Sequence, residues 1–398
     1  MTRLSLIVPA LIASSALAQP AAETTADWRS AEAPGLTGHV QLTFPDRFTR
    51  AGEAYFSPDS RWIIFQAIAV PDEGEEPSSI YAMYVARLKR DTQIDAIVGI
   101  EEPILVSPPG SANTCGFFHP SERGRIIFGS TLVPPAEKAP AGYQRGTSSY
   151  AWQFPSEMEV VTMIVPSIVY DGRPKVTEDI DWPEESLIPT PVWTRPGYDA
   201  ECAYSPSGRY IVHTQVNPDT NDPDLFVYDT QKHEHKPLIV TRGYDGGPFF
   251  SPDGSMICYR SDRKGNDLLQ VYIAELAFAD DGSIIGVKRE KPVTDNEHVN
   301  WAPFWHPSGE FLIYATSEQG HQNYEVYAIQ PPIGLSSDVL PADLKKKRLT
   351  FAPGFDGLPV FSPQGEYMMW TSQRGPKLEH EQRPSSQLWI ARVGDVEP

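Results

Sequence analysis

The stretch Pro248-Phe249-Phe250-Ser251-Pro252-Asp253-Gly254 decides the fold, because it recurs. Versions of it stand at Ala54-Tyr55-Phe56-Ser57-Pro58-Asp59, Gly116-Phe117-Phe118-His119-Pro120-Ser121 and Ala203-Tyr204-Ser205-Pro206-Ser207. Two more are Pro303-Phe304-Trp305-His306-Pro307-Ser308-Gly309 and Pro359-Val360-Phe361-Ser362-Pro363-Gln364-Gly365. The central prolines are separated by 62, 86, 46, 55 and 56 residues. A period of this length marks a repeated supersecondary unit, and only one interval is greatly stretched.

Each copy continues alike. The aromatic strand ends in a turn where Pro presets φ and Gly or Asp accepts a positive φ. An apolar second strand follows, as in Trp62-Ile63-Ile64-Phe65 and Tyr367-Met368-Met369-Trp370. A third, such as Asp224-Leu225-Phe226-Val227-Tyr228, and a fourth, such as Pro237-Leu238-Ile239-Val240-Thr241, complete the unit. These runs are short, aromatic and β-branched, which is strand chemistry. One four-stranded sheet cannot bury both faces alone, whereas six packed face to face around an axis can. The expected fold is therefore all-β: a six-bladed β-propeller of four-stranded antiparallel blades. The last unit stops after its third strand, Leu388-Trp389-Ile390-Ala391. Val40-Gln41-Leu42-Thr43-Phe44 is predicted to supply the fourth, closing the ring and removing both free edges.

Composition agrees. The 398 residues carry 33 basic and 52 acidic side chains, a net charge of −19, which repels phosphate backbones and argues against a nucleic-acid partner. The densest basic run, Lys345-Lys346-Lys347-Arg348, leads into a strand. With 17 Phe, 17 Tyr and 9 Trp the chain has ample area to bury and is not disordered. Residues 1–18 read as a secretory signal peptide: Arg3, an apolar run from Leu4 to Leu17, and the small-x-small site Ala16-Leu17-Ala18. Residues 19–37 are expected to be a linker and 38–398 the propeller, with an insertion at about 131–152 that folds as a lid or packs on a blade. No transmembrane anchor is expected, and the chain is expected to be periplasmic or secreted, and a monomer. Cys115, Cys202 and Cys258 have no CxxC spacing and are expected to be buried thiols.

The Phe-Ser-Pro-Asp-Gly turn, with the Leu-Thr and Gly-Tyr/Phe-Asp-Gly lead-ins, resembles the TolB-type, WD-like propeller repeat of bacterial envelope proteins. The resemblance covers roughly residues 38 to 394 and implies a stand-alone TolB-like propeller without the N-terminal α/β domain of TolB. It implies partners among envelope proteins.

Aligning the copies five residues before the aromatic gives Ala51, Asn113, Asp199, Asp245, Asn300 and Asp356. This position opens the innermost strand at one mouth of the channel, with Glu53 and Glu201 two residues further on. Converging oxygens there could hold calcium or a polar ligand. Alternatively, each Asx caps its own turn. The loops between second and third strands share this face and differ between units. Arg260 lies in one and His321 in another, and a uniform scaffold displaying diverse polar loops is how binding faces are built. His119 and His306 replace the turn Ser and are expected to be structural caps. A His213–His321 metal pair is a further option, and His233-Glu234-His235 reads as a solvated hairpin. Enzyme signatures are absent: there is no Gly-x-Ser-x-Gly elbow, phosphate loop or His-Glu-x-x-His motif. The expected function is a non-catalytic binding or scaffold module for an envelope protein or small polar ligand, with no required cofactor. The alternative is a metal-assisted carbohydrate lyase or hydrolase at the channel mouth.

Overall fold

A computed structural model describes residues 27–398 apart from 77, 137–143, 146–149, 152–154, 172–182, 221, 333–334, 336–337 and 380. The signal-peptide expectation lies outside the described residues, as does most of the 131–152 insertion.

Six antiparallel sheets surround one axis. The innermost strands, in blade order, are Phe48–Phe56, Asn113–Phe118, Asp199–Tyr204, Asp245–Phe250, Asn300–Trp305 and Asp356–Phe361. Each pairs outward with a second, third and fourth strand, as predicted. In blade one the fourth position is broken, so that Ala82–Asp91 pairs with both Ala96–Ile100 and Ile104–Leu105. Pro103 between them has no N–H to give to a ladder.

The repeated side chains explain themselves in the hydrogen bonds. The Ser of each turn accepts the N–H five residues ahead: Trp62 to Ser57 at 2.9 Å, Met256 to Ser251 at 2.9 Å, Tyr367 to Ser362 at 3.1 Å. His119 and His306 instead cap the turn itself with Nδ1, accepting N–H groups two or three residues ahead, from Glu122 at 2.9 Å and from Ser308 at 3.2 Å. The Thr of the Leu-Thr lead-in accepts a third-strand N–H at 2.8 Å, from Val326 to Thr350 and from Leu388 to Thr43. These polar groups tie strand to strand where the apolar pattern alone would not fix register.

Blade two carries the stretched interval in two places. One excursion separates its second strand from Glu159–Ile164. Another, holding a short helix Pro166–Val169 and a 3-10 turn Glu184–Ser186, precedes its two-residue outer strand Thr190–Pro191. The single insertion expected at 131–152 accounts for only the first.

Ring closure is as predicted in partner, with the strand lying slightly earlier, at Leu36–Gln41. Val40 is opposite Ile390, and Gln41 opposite Trp389. Leu42 N–H still reaches Leu388 O at 2.8 Å. The segment expected to be a linker contributes a helix, Trp28–Glu32, whose end carries the main latch. The Arg374 side chain, completely buried, bridges Glu32 at 2.9 Å and Asp356 at 2.8 Å. Its guanidinium carbon lies 4.3 Å from the Trp28 ring and 4.8 Å from that of Trp370. Glu32 also meets His39 at 2.7 Å and accepts the Phe351 N–H at 2.8 Å. One cation therefore holds the N-terminal segment to the last blade.

Removing one partner from a buried ion network leaves uncompensated charge, which costs about 3–5 kcal/mol. Arg374→Met is expected to lower the unfolding free energy by that order in a denaturant titration. A loss below about 1 kcal/mol, the worth of an exposed pair, would show that the latch is not what closes the ring.

Candidate functional site

Every innermost strand carries a β-bulge at the same place. Register shifts fall between Gly52 and Ala54, Thr114 and Phe117, Ala200 and Ala203, Gly246 and Phe249, Trp301 and Phe304, and Gly357 and Val360. The residue inside each bulge has a left-handed backbone: Glu53 (φ 44°), Cys115 (51°), Glu201 (52°), Gly247 (58°), Ala302 (51°) and Leu358 (53°). A bulge bends the strand and re-aims its side chains. Here the side chains at this position line a small cavity walled by all six blades. Two residues further along, Tyr55, Phe117, Phe249 and Phe304 close the axis beneath it. Their ring centroids are 5.1 Å (Phe249–Phe304) to 6.3 Å (Tyr55–Phe304) apart.

The Asx residues are placed differently from the residues that line the axis. All five are buried, and their hydrogen bonds go to their own blade, to an adjoining loop or, from Asn300 to Gln270 Oε1 at 3.0 Å, to the neighbouring blade. Asp199 accepts from Arg195 at 3.0 Å and Trp193 at 3.1 Å. Asp245 accepts from Thr241 at 2.6 Å and Arg263 at 3.2 Å. Asp356 accepts from Arg374 and, at 3.0 Å, from Trp370. Asn113 donates to the carbonyls of Ser111 at 2.8 Å and Tyr81 at 3.0 Å, and Asn300 to that of His298 at 3.0 Å. The choice of acid or amide thus follows the partner: Asp where an Arg arrives, Asn where carbonyl oxygens do. Among the described residues, no group of three or more His, Cys, Asp or Glu side chains could hold a metal ion. The oxygens expected to converge on calcium are not assembled into such a cage.

Two predicted residues do meet. Glu201 and Arg260 form a buried ion pair at 3.3 Å. Tyr244 donates to both oxygens of Glu201 at 2.9 and 2.8 Å, the Gly247 N–H donates at 2.6 Å, and Thr214 at 3.0 Å. Two glycines make the room. A Cβ on Gly246 would lie 2.1 Å from the Tyr244 hydroxyl, and one on Gly247 2.0 Å from an Arg260 nitrogen. Burial works against the Arg260 charge, and the Tyr244 hydroxyl and Glu201 carboxylate beside it hold the guanidinium protonated. Burial pushes the Cys115 thiol well above its ordinary range, so it acts as a hydrogen-bond donor and not a nucleophile. All three cysteines are free and buried, as expected.

At the rim, Trp301 and Phe355 are half-buried with centroids 6.1 Å apart, and Arg260 lies 5.9 Å from the Trp301 ring. His321 is exposed in the next loop, 6.5 Å from the Tyr324 ring. It is not near His213, which is fully buried two blades away with Nε2 3.3 Å from His235 Nδ1. His235 packs against Trp193 and Tyr228 at 4.8 and 4.7 Å, so that end of the hairpin is part of a seam and not simply solvated.

No known family profile matches the chain. Among solved structures it is similar to a protein from Agrobacterium tumefaciens described as TolB, at 13% identity and a TM-score of 0.49, covering 90% of this chain and 98% of that one. TolB from Acinetobacter baumannii gives 13% and 0.47, covering 87% and 64%. Oligogalacturonate lyase from Vibrio parahaemolyticus gives 12% and 0.45, covering 90% and 94%. The likeness is one of fold. What the site can do is read from its own residues.

The seam between blades two and three titrates. Burial and the neighbouring Asp199 charge push Glu159 up to about 7, and burial pushes Asp199 up to about 6. The folded protein therefore holds these protons more tightly than the unfolded chain, a contribution that favours folding near the ordinary value of 4.5 and is lost as pH rises to about 7. Glu159→Gln is expected to gain stability over wild type progressively across that window and then level off. Denaturation midpoints at a series of pH values check this; a constant difference would contradict it.

Proposed function

We propose that this chain is an exported, non-catalytic binding module. Its channel mouth and the loops around it would engage a small polar ligand or a polar segment of an envelope protein. The convergence of Glu201, Arg260 and Tyr244 on the axis, made possible by Gly246 and Gly247, carries this reading. Desolvating a cation and a carboxylate at one spot costs free energy that packing alone does not require, and such groups cluster where recognition occurs. Trp301 and Phe355 at the rim add the rigid aromatic area that binding sites favour. Export draws on the leading apolar segment. It is compatible with there being no described helix long and apolar enough to cross a membrane.

The test is a thermal-shift screen of polar metabolites together with capture from envelope extract, using wild type, Trp301→Ala and Phe355→Ala. At least one ligand or partner held by wild type is expected to be lost, at least tenfold, from both variants. Retention of every bound species by both would overturn the reading.

A further inference from the structure

The axial cavity holds chemistry that mouth binding alone does not use. It measures about 20 Å³, room for one water-sized occupant. Its polar wall is unevenly satisfied. Glu201 is saturated by donors, and its charge is matched by Arg260. Glu53 is not. Tyr55 at 3.1 Å and the Cys115 thiol at 2.9 Å both donate to Oε1. Among the described residues no side-chain or backbone donor reaches Oε2, and Glu53 lines the cavity.

Charge then selects the occupant. Arg260 and Glu201 cancel, so an ionised Glu53 has no cation of its own. The other walls include the rings of Phe249 and Phe304 and the side chains of Ala302 and Leu358, which carry no charge. An entering anion would face two carboxyl groups, with the guanidinium already engaged. A small cation would complete the ion balance.

We propose that the axial cavity binds one ammonium-sized monovalent cation, free or as the head of a primary amine, with Glu53 as its counter-ion. This deepens the mouth reading, since an amine head would bring its remainder into the mouth. Burial keeps the Glu53 carboxyl protonated above its ordinary range, and the Glu201 charge adds to this, against the Cys115 and Tyr55 hydrogen bonds and the Arg260 charge. Tyr81 and Tyr198 also lie within reach of its charge and are themselves held protonated by burial. Entry of the cation therefore expels the carboxyl proton to buffer: one positive charge enters, one leaves, and no electron moves. Affinity rises with pH until the free carboxyl is already ionised.

Calorimetric titration of the full chain with ammonium chloride, in two buffers of different ionisation enthalpy, tests this. Saturable binding with release of up to one proton per cation is expected, with methylammonium binding comparably and tetramethylammonium excluded. Potassium binding as well as ammonium would assign a free-ion site; binding of the two ammonium ions without potassium would assign an amine head. Glu53→Gln should weaken binding at least tenfold and abolish proton release, while mouth recognition is scored separately by the thermal-shift and capture assay, so that failure of mouth recognition and failure of cation binding are separate results. In wild type, the infrared carboxylic-acid band should lose one carboxyl at saturation, a readout that survives if the Gln variant does not fold. No saturable binding, equal binding by Glu53→Gln, or an unchanged carboxylic-acid band would overturn the proposal.

Discussion

One backbone constraint organises the centre of this propeller: a left-handed residue inside a bulge, repeated in all six innermost strands. Residues other than glycine adopt this conformation at a cost of roughly 1 kcal/mol or more, and keep it only where the surroundings over-determine it. The surroundings here are the ladder on one side and the neighbouring blade on the other. The bulge turns five side chains of four kinds, and one glycine, toward a single cavity. Where that residue is glycine, Arg260 from the second strand reaches the axis in its place.

Charge is arranged in two tiers above the aromatic closure. The upper tier, the Asx positions, belongs to the blades: Asp199, Asp245 and Asp356 each take an arginine, and Asn113 and Asn300 take carbonyl oxygens. The lower tier belongs to the axis, where Glu53, Glu201 and Arg260 share one cavity. The upper tier stabilises blade and seam; the lower is where an occupant can bind. In the last blade the upper tier also recruits Glu32, which is how the N-terminal segment becomes part of the ring.

The blade count, strand order and closing partner were legible because the Pro-centred turn is a local signal and each second strand is a continuous apolar run. The Asx ring was legible as a pattern but not in its bonding. A side chain's direction depends on the bulge, and nothing in Glu53, Cys115, Ala302 or Leu358 announces a left-handed backbone, which usually draws Gly or Asn. The partners of Asp245 and Asp356 did carry a signal. Ser261-x-Arg263 and Ser372-x-Arg374 both follow a second strand, and each Ser oxygen accepts from the Arg Nε, at 3.0 and 2.9 Å. Arg195 carries no such signal, because it arrives from the irregular connection leaving blade two.

The left-handed bulge is tested most directly by two alanines in one blade. Ala302 sits in the bulge at φ 51°, and Ala315 in the regular second strand Leu312–Thr316. Glycine relieves strain at the first position and only loses order and packing at the second. Unfolding free energies should therefore show Ala302→Gly equal to or above wild type, and Ala315→Gly lower by about 1 kcal/mol or more. Equal losses at both positions would contradict the account.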